Sequence, residues 1–391
     1  MNERKLAICH VITRMIVGGA QENTLLTILD HAEKGHKVTL VTGPSPGPEG
    51  ELLKLCDTGK FELITIPELV REVNPGKDFI AWRKLCRFFR ERNFDVVHTH
   101  ASKAGISGRA AAWREKVPFV VHTIHGQAFH PYEKTWKNHL YIALERYAAK
   151  RCHKIYAVAQ AMIESSVGAR IAPREKYMVV YSGMLIDDFL SAVRNPENRK
   201  KWNIPAKAPV IGAVARLFPL KGYEFFLPAA FEVARKRPDV HFLIVGNGIM
   251  RGEMDQKIAA AGLTDRFHFT GLVAPSEVPH CIVEMDQLWH LSLREGLPRS
   301  VVQSLACGVP AIGYHLDGTP EVLFNGETGY CVTPESVEEV VVPALELLDN
   351  PEKANIIGKR GQAMVREKFD WRKMGEILEE EYYKGVFLED R

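Results

Sequence analysis

The stretch around Glu295 has residue types and spacing suited to binding an anion beside a group that accepts hydrogen bonds. Residues 288–310 read LWHLSLREGLPRSVVQSLACGVP. The apolar run Leu288–Leu293 predicts a buried strand, and Pro298 opens a predicted helix that Gly308 ends. A helix amino terminus beyond a strand binds anions, because its first amides are unpaired and the helix dipole is positive there. Glu295 lies beside that terminus, where a carboxylate can hold sugar hydroxyls.

Three more polar groups extend this site. Gln303 follows Glu295 by eight residues, two turns along the predicted helix, and projects from roughly the same face. Arg216 and Lys221 lie in RLFPLKG, after another predicted strand. An arginine fork and a lysine charge can neutralise a diphosphate, although two solvated loop cations have the same spacing. Because the chain has no D-x-D pair, we expect cations and helix amides, without a metal, to stabilise a leaving diphosphate.

Histidines are concentrated in one part of the chain, at His98, His100, His122, His125 and His130. His98 and His100 share a strand face, as metal ligands can, but no acidic residue or cysteine lies at a supporting spacing. We therefore predict no metal site and expect hydrogen-bonded roles for most of these rings. His125 ends a predicted strand in HTIHG, where it suits a contact with a sugar hydroxyl.

Gly18 and Gly19 lie between the first predicted strand and the helix Ala20–Glu33. Two glycines let the backbone approach a phosphate or a sugar closely. An ordinary tight turn fits them equally well, because the full G-x-G-x-x-G fingerprint is absent.

The composition is that of a soluble globular protein, with 46% apolar and 25% charged residues. A net charge of +3 over 391 residues does not indicate nucleic-acid binding but leaves room for an anionic substrate. Seven scattered cysteines without a C-x-x-C pair predict reduced thiols and a cytoplasmic location. We expect no signal peptide, and no apolar run reaches the roughly 18–20 residues of a membrane span.

Short apolar runs alternate with helical patterns along the whole chain. This alternation predicts an α/β protein built from βαβ units, with parallel sheets covered on both faces. The pattern lapses at Asn195–Lys207, which we interpret as a linker, and then resumes. We therefore predict two doubly wound domains, 1–195 and 205–370, that face each other and bind ligands beyond the carboxyl ends of their strands.

These segments together resemble the retaining glycosyltransferases of family 4, which have the GT-B architecture. The resemblance covers nearly the whole chain and is carried by six segments in order: Gly18-Gly19, His125-Gly126, RLFPLKG at 216–222, VGNG at 245–248, REGLPRSVVQSLACGVP at 294–310 and GTPEVLFNGETGY at 318–330. It implies an acceptor-binding domain and a nucleotide-sugar-binding domain across a cleft. It also implies that the last helix, in residues 371–391, returns to the amino-terminal domain.

The resemblance implies a role for each candidate residue. His125 would meet the donor sugar, Arg216 and Lys221 would hold the diphosphate, and Glu295 would bind hydroxyls of the transferred sugar. Gly271–Val273 would meet the base through main-chain contacts. The donor-binding positions as a set are Gly18, Gly19, Gly246, Asn247, Leu272, Val273, Gly296, Leu297, Arg299, Ser300 and Gln303.

Two positions depart from the family pattern. The family pairs two glutamates with seven residues between them, and this chain has Glu295 but Gln303. An amide keeps one acceptor oxygen, so it can retain one of two bonds to a ribose. Losing a charge-assisted bond costs about 1.5–3 kcal/mol of donor affinity. Asn247 stands where many relatives have an acidic residue.

The expected function is transfer of a hexose or N-acetylhexosamine from a nucleotide-diphosphate sugar, UDP ahead of GDP, to a glycan or lipid-linked acceptor. The anomeric configuration would be retained, in cell-surface polysaccharide or glycoconjugate synthesis, and no cofactor or metal is expected. Two alternatives remain open. One is a nucleotide-sugar epimerase of the same architecture, and the other is a non-catalytic nucleotide-sugar binder, which Gln303 brings into consideration.

Two segments, Phe79–Arg92 and Phe129–Arg151, carry basic and aromatic residues at helical spacing. Such helices can lie on anionic lipid. A sheet-packing helix with a solvated basic face is the favoured interpretation of the first segment. For the second both interpretations stay open, including a peripheral position at the inner face of the cytoplasmic membrane.

Overall fold

The structure is a computed structural model that describes residues 4–45 and 52–387, apart from the side chain of Leu55. Its chain divides into two compact units. The first unit contains the chain up to Met184 and the segment from Trp371 onward, and the second is Leu185–Asp370. Predicted ranges that begin at residue 1 or end at residue 391 extend beyond the described residues.

The first unit is a doubly wound α/β domain. Its strands are β1 (Ala7–Ile12), β2 (Lys37–Thr42), β3 (Glu62–Thr65), β4 (Val96–His100), β5 (Phe119–Ile124), β6 (Lys154–Ala157) and β7 (Tyr177–Val179). Its helices are α1 (Gly19–Glu33), α2 (Pro75–Glu91), α3 (Ser102–Arg114), α4 (Thr135–Ala149) and α5 (Gln160–Gly168). The strands form one parallel sheet in the order β3-β2-β1-β4-β5-β6-β7. The strand order reverses between β1 and β4, which is where such sheets bind ligands.

The second unit has the same kind of sheet. Its helices before the sheet are α6 (Asp187–Ser191) and α7 (Pro196–Lys201). The strands are β8 (Val210–Val214), β9 (His241–Val245), β10 (Phe267–Gly271), β11 (Gln287–His290), β12 (Ala311–Tyr314) and β13 (Gly329–Val332). The remaining helices are α8 (Tyr223–Lys236), α9 (Arg251–Ala260), α10 (Val278–Ile282), α11 (Arg299–Ala306), α12 (Val337–Asp349) and α13 (Pro351–Lys368). The parallel order β10-β9-β8-β11-β12-β13 reverses between β8 and β11. The predicted doubly wound α/β fold is confirmed in both units.

The last helix, α14 (Trp371–Phe387), belongs to the first unit. Its buried residues Trp371, Met374, Leu378 and Tyr382 recur at three- and four-residue intervals, so they line one face of the helix. This face packs with Leu26 of α1 and with apolar side chains of the sheet. The return of the chain to the amino-terminal unit agrees with the family expectation.

The predicted linker is wrong, because residues 196–201 form α7 within the second unit. The division lies at Met184 and Leu185, about ten residues before the predicted boundary. The segment is fastened by Arg199, whose Nε donates to Glu284 Oε2 at 3.0 Å and whose Nη2 donates to Glu284 O at 3.0 Å. A polar, charged sequence thus forms a buried ion pair rather than a solvated connection.

The predicted strand Leu288–Leu293 is also too long, since β11 ends at His290. Ser292 turns the chain, because its single O–H is shared between Leu220 O at 3.0 Å and Arg294 O at 3.1 Å. Leu291–Pro298 is therefore an irregular loop, although Leu291 and Leu293 in it are buried. Among the described residues, none of the helices combines the length and the apolarity needed to cross a membrane.

Candidate active site

The loops that follow β8 and β11, at the reversal point of the second sheet, hold the catalytic candidates of that unit. Lys221 precedes α8, and Glu295 lies between β11 and α11. The Nζ of Lys221 lies 2.5 Å from Glu295 Oε1. Both side chains are largely buried, with exposed fractions of 28% and 18%. The structure thus brings together two residues that are 74 positions apart and were both predicted for the site.

The two loops are held together by their backbones. Leu293 N donates to Leu220 O at 2.9 Å, beside the bond from Ser292 to the same carbonyl. Leu220 has φ of 68°, in the left-handed region that side chains disfavour. Gly222 has φ of 81°, and a Cβ there would lie 1.9 Å from Leu291 O. Only glycine fits at position 222, where the two loops meet. The strained turn at Leu220 directs the side chain of Lys221 toward Glu295.

A second layer supports Glu295. The amide of Glu295 donates to Asp317 Oδ2 at 2.7 Å. Buried His290 lies with Nε2 3.5 Å from Glu295 Oε1, and its Nδ1 is 3.0 Å from Ser300 Oγ. These contacts link the carboxylate to the first turn of α11. The sequence interpretation missed His290, because it read as part of an apolar strand, and Asp317, although Asp-Gly in front of the GTPE turn is a recognisable loop signal.

Glu295 is ionised in this environment. Burial is the largest single effect and raises its pKa. The positive charge of Lys221, the effect of His290 and hydrogen bonds from Lys221 and Ser292 together outweigh burial, so the pKa lies below its ordinary value. Burial lowers the pKa of His290, and the negative charge of Glu295 offsets only part of this effect. The site therefore presents a carboxylate, an ammonium and a neutral imidazole.

The predicted anion-binding helix begins at Arg299, with Pro298 as its cap. Arg299 and Ser300 form its first turn, while Gln303 is half-buried in the second. Gly296 and Leu297 lie in the preceding loop. All five therefore lie in the first two turns of α11 or in the loop directly before it.

The other predicted residues of this unit also follow strands. Arg216 comes two residues after β8, with its guanidinium 5.2 Å from the Phe218 ring centroid. Gly246 follows β9 with φ of 138°, and a Cβ there would lie 2.1 Å from Ala215 O. Asn247 turns this loop, because its Oδ1 accepts from Gly248 N at 2.8 Å. The side-chain amide of Asn247 thus stabilises the turn of this loop.

Leu272 and Val273, predicted to meet the base, directly follow β10. Leu272 is 66% exposed. The strand β10 is an edge of the sheet, two strands from β8. Leu272 and Val273 therefore lie at the carboxyl edge of the sheet as predicted, but they follow its outermost strand.

The first unit carries the remaining candidates. Gly19 begins α1 and Gly18 caps it, but Gly18 has φ of 177°, an extended conformation open to any residue. The conformation therefore does not distinguish a ligand-binding turn from an ordinary one. His125 directly follows β5, and its Nε2 lies 3.0 Å from Nδ1 of buried His100.

One group of histidines in the described part of the chain has the spacing of metal ligands, namely His10, His98 and His100. One ligand atom from each lies within 4.8 Å of the others. Both nitrogens of His98 are already engaged, with Nδ1 2.5 Å from Tyr382 Oη and Nε2 2.6 Å from Thr123 Oγ1. His10 Nδ1 and His100 Nε2 face each other at 3.0 Å. A metal would have to displace these hydrogen bonds, so the arrangement suits a hydrogen-bonded network better.

Two protein families match almost the whole chain between them. The family described as Glycosyltransferase Family 4 matches residues 17–187, and Glycosyl transferases group 1 matches residues 194–364. The first match contains strands β2 to β7 of the first sheet, and the second contains the whole second sheet. The chain belongs to glycosyltransferase family 4.

Relatives of similar length include two bacterial enzymes. One is the UDP-Gal:alpha-D-GlcNAc-diphosphoundecaprenol alpha-1,3-galactosyltransferase of Escherichia coli, 25% identical over 370 residues, with 94% of each chain covered. Another is the N-acetyl-alpha-D-glucosaminyl L-malate synthase of Bacillus anthracis, 24% identical, with 92% of each chain covered. This chain is accordingly a glycosyltransferase.

Solved structures show the same fold. The Anabaena protein HepE, in complex with UDP, has a TM-score of 0.81 at 20% identity, with 97% of this chain and 100% of that chain covered. A glycosyltransferase from Rickettsia africae has a TM-score of 0.83 at 19% identity, with 98% and 100% covered. The fold is that of the GT-B glycosyltransferases.

Proposed function

We propose that this glycosyltransferase moves a hexose or N-acetylhexosamine from a UDP-sugar to a hydroxyl of a glycan or lipid-linked acceptor, with retention and without a metal. The observation that carries the proposal is the contact of Lys221 with Glu295 beside the start of α11. A cation and a helix amino terminus suit a diphosphate, and a carboxylate suits sugar hydroxyls. Similarity to the E. coli galactosyltransferase, which uses UDP-Gal and a diphosphoundecaprenol-linked acceptor, supports UDP and a lipid-linked acceptor, and GDP is the next candidate.

Catalysis in this proposal is electrostatic. The bond between the anomeric carbon and the diphosphate oxygen breaks while the acceptor oxygen attacks from the same face. The acceptor proton passes to the leaving phosphate oxygen. Lys221, Arg216 and the first amides of α11 stabilise the negative charge that builds on the leaving group, so they bind the transition state more tightly than the substrate. Glu295 and His125 hold the sugar.

Selective nucleotide binding is the first test. Donor binding stabilises the folded chain in proportion to affinity, so UDP should raise the melting temperature more than GDP or ADP does. Lys221→Met should reduce kcat/KM about 100- to 1000-fold, the loss typical of one group that stabilises a developing anion. Lys257→Met is the matched control, since Lys257 pairs with Glu253 on the exposed face of α9. Equal effects of the two variants would count against the proposal.

The anomeric configuration of the product tests retention. Proton NMR of the product from an α-linked donor should show an α-linkage, and a β-linked product would refute the mechanism. Incubation of the donor alone separates transfer from the epimerase alternative, because an epimerase converts the donor with no acceptor present. In a non-catalytic binder, Glu295→Ala would leave the cellular phenotype intact.

We further propose a cytoplasmic enzyme that contacts the inner membrane face through α4. The outer face of this helix exposes Trp136, Leu140, Leu144 and Tyr147, at fractions between 36% and 62%. Amphipathic helices with aromatic and basic residues bind anionic interfaces. By contrast, α2 buries Leu85 and three other residues, as a packing helix does.

Sedimentation with vesicles tests the membrane contact. Vesicles containing phosphatidylglycerol should bind the full chain in a salt-sensitive manner, and Trp136→Ser with Leu140→Ser should weaken binding. Phe79→Ser with Ile80→Ser on exposed positions of α2 is the control pair. Equal binding of both double variants, or no salt-sensitive binding of the wild type, would refute the contact.

A further inference from the structure

Three histidine rings form a hydrogen-bonded series in the first unit. His10 lies on β1, His100 ends β4, and His125 follows β5. His10 Nδ1 is 3.0 Å from His100 Nε2, and His100 Nδ1 is 3.0 Å from His125 Nε2. His10 and His100 are fully buried, whereas His125 is half-buried. The series runs from the core, at the strand-order reversal, to the candidate sugar contact.

The two buried rings are neutral. Burial lowers the pKa of His10 to about 3. Burial, reinforced by the neighbouring histidines, also lowers the pKa of His100 well below its ordinary value. A neutral imidazole has one N–H donor and one bare acceptor nitrogen. In a series of such rings the direction of one hydrogen bond fixes the direction of the next.

The inner end of the series selects the direction. His10 Nε2 is buried and has no hydrogen-bond partner among the residues that the structure describes. A buried N–H without a partner is rarer than a buried acceptor without one. The proton of His10 is therefore on Nδ1 and is donated to His100 Nε2. His100 then donates from Nδ1 to His125 Nε2.

We propose that His100 and His10 are positioning residues that hold His125 in the tautomer with its proton on Nδ1. His125 then offers one N–H, at Nδ1, to an oxygen of the bound donor. The hydrogen bond from His100 Nδ1 to His125 Nε2 also fixes the orientation of the His125 ring. What His125 contacts rests on the proposed function, but its tautomer does not.

Nitrogen NMR of the full chain labelled with [15N]histidine tests the tautomer directly. The His125 resonances are assigned by their loss in His125→Gln. We expect Nδ1 to be pyrrole-type, carrying the proton, and Nε2 to be pyridine-type. The opposite assignment in the wild type would overturn the proposal. This result is independent of any glycosyl transfer.

Variants of His100 test the coupling. His100→Leu removes the donor, so His125 should shift toward the Nε2–H form that free imidazole side chains prefer. His100→Asn retains an N–H at about the position of Nδ1 and should restore the wild-type signals. His122→Leu is the control. His122 is also buried, but its Nδ1 lies 3.0 Å from Thr99 Oγ1 rather than beside a ring of the series. An unchanged His125 tautomer in His100→Leu would overturn the coupling.

Kinetics and metal binding provide two further readouts. His100→Leu should lower kcat/KM about 10- to 100-fold, the loss seen when a partner that orients a functional histidine is removed. UDP affinity should be unchanged, because UDP lacks the sugar. If the full chain binds one equivalent of Zn²⁺ and His98→Leu abolishes that binding, the rings form a metal site and the proposal fails.

Discussion

Glu295 and Lys221 neutralise each other across 2.5 Å in the structure. When a donor binds, sugar hydroxyls can take the place of Lys221 beside Glu295, and the diphosphate can take the place of Glu295 beside Lys221. The ion pair therefore keeps both side chains oriented while no donor is bound. The pair also lies where the loops after β8 and β11 share backbone hydrogen bonds. The position of each charge therefore depends on both strands.

Glu295→Gln separates sugar recognition from nucleotide recognition. The variant should bind a UDP-sugar about 10- to 100-fold more weakly, since hydrogen bonds to a charged group contribute about 1.5–3 kcal/mol. UDP itself should bind at least as tightly, because Lys221 loses a competing anion. Isothermal titration measures both affinities, and Glu253→Gln on the exposed face of α9 is the control. An equal loss for UDP and the UDP-sugar would contradict this role.

The stability of the fold should depend on pH through Glu295. Its folded pKa is depressed below the ordinary value of 4.5, so the pair stabilises the fold above that pH. The stabilisation is lost as pH falls below 4.5 through the folded pKa. Urea unfolding of wild type and Glu295→Gln should therefore differ at pH 7 and converge as the pH decreases. A difference that grows on acidification would contradict the assignment.

Gln303 is the residue that distinguishes this chain from the family pattern. Gln303→Glu should strengthen UDP binding by about 1.5–3 kcal/mol, because a carboxylate accepts charge-assisted bonds from both ribose hydroxyls. The comparison of UDP with 2′-deoxy-UDP measures the contribution of the ribose. If the variant binds both equally and no more tightly than wild type does, Gln303 does not contact the ribose.

At the scale of elements, α7 is an integral part of the second unit. Arg199 and Glu284 are buried, at 6% and 1% exposed, and pair at 3.0 Å. Removing one member of a buried pair leaves the other charge uncompensated, which costs about 3–5 kcal/mol. Arg199→Met should lower the unfolding free energy by that amount in urea. Lys200→Met, beside it and exposed, should change it by less than about 1 kcal/mol.

The sequence predicts the elements well where the pattern is regular. Apolar runs at 311–314 and 329–332, for example, predict two strands with the same limits that β12 and β13 have in the structure. The limit of β11 is missed, since Leu291 and Leu293 remain apolar in an irregular loop. The boundary at 195 is missed because a buried ion pair looks like a solvated linker in sequence. The spacing of apolar residues indicates which positions are buried, but it does not indicate which residues they contact.

The site could be predicted only in part. Position after a strand identifies Lys221 and Glu295, because parallel strands bring their carboxyl ends to one edge. The supporting residues His290 and Asp317 depend on loop geometry that spacing does not encode. The buried series from His10 to His125 depends on the order of strands in the sheet, which the alternation of elements leaves open.

At the scale of the whole molecule, two doubly wound units of family 4 each place their candidate residues around the reversal point of a parallel sheet. The second unit carries the charged pair, and the first carries the histidine series and receives the last helix. We propose that the second unit binds the donor nucleotide and the first binds the acceptor.

The most direct test is a crystal structure of the full chain with a UDP-sugar. We predict that the diphosphate lies at the first turn of α11 within hydrogen-bonding distance of Lys221, and that the sugar hydroxyls contact Glu295. A nucleotide bound elsewhere, or a diphosphate distant from Lys221 while the Lys221–Glu295 pair remains intact, would contradict the account.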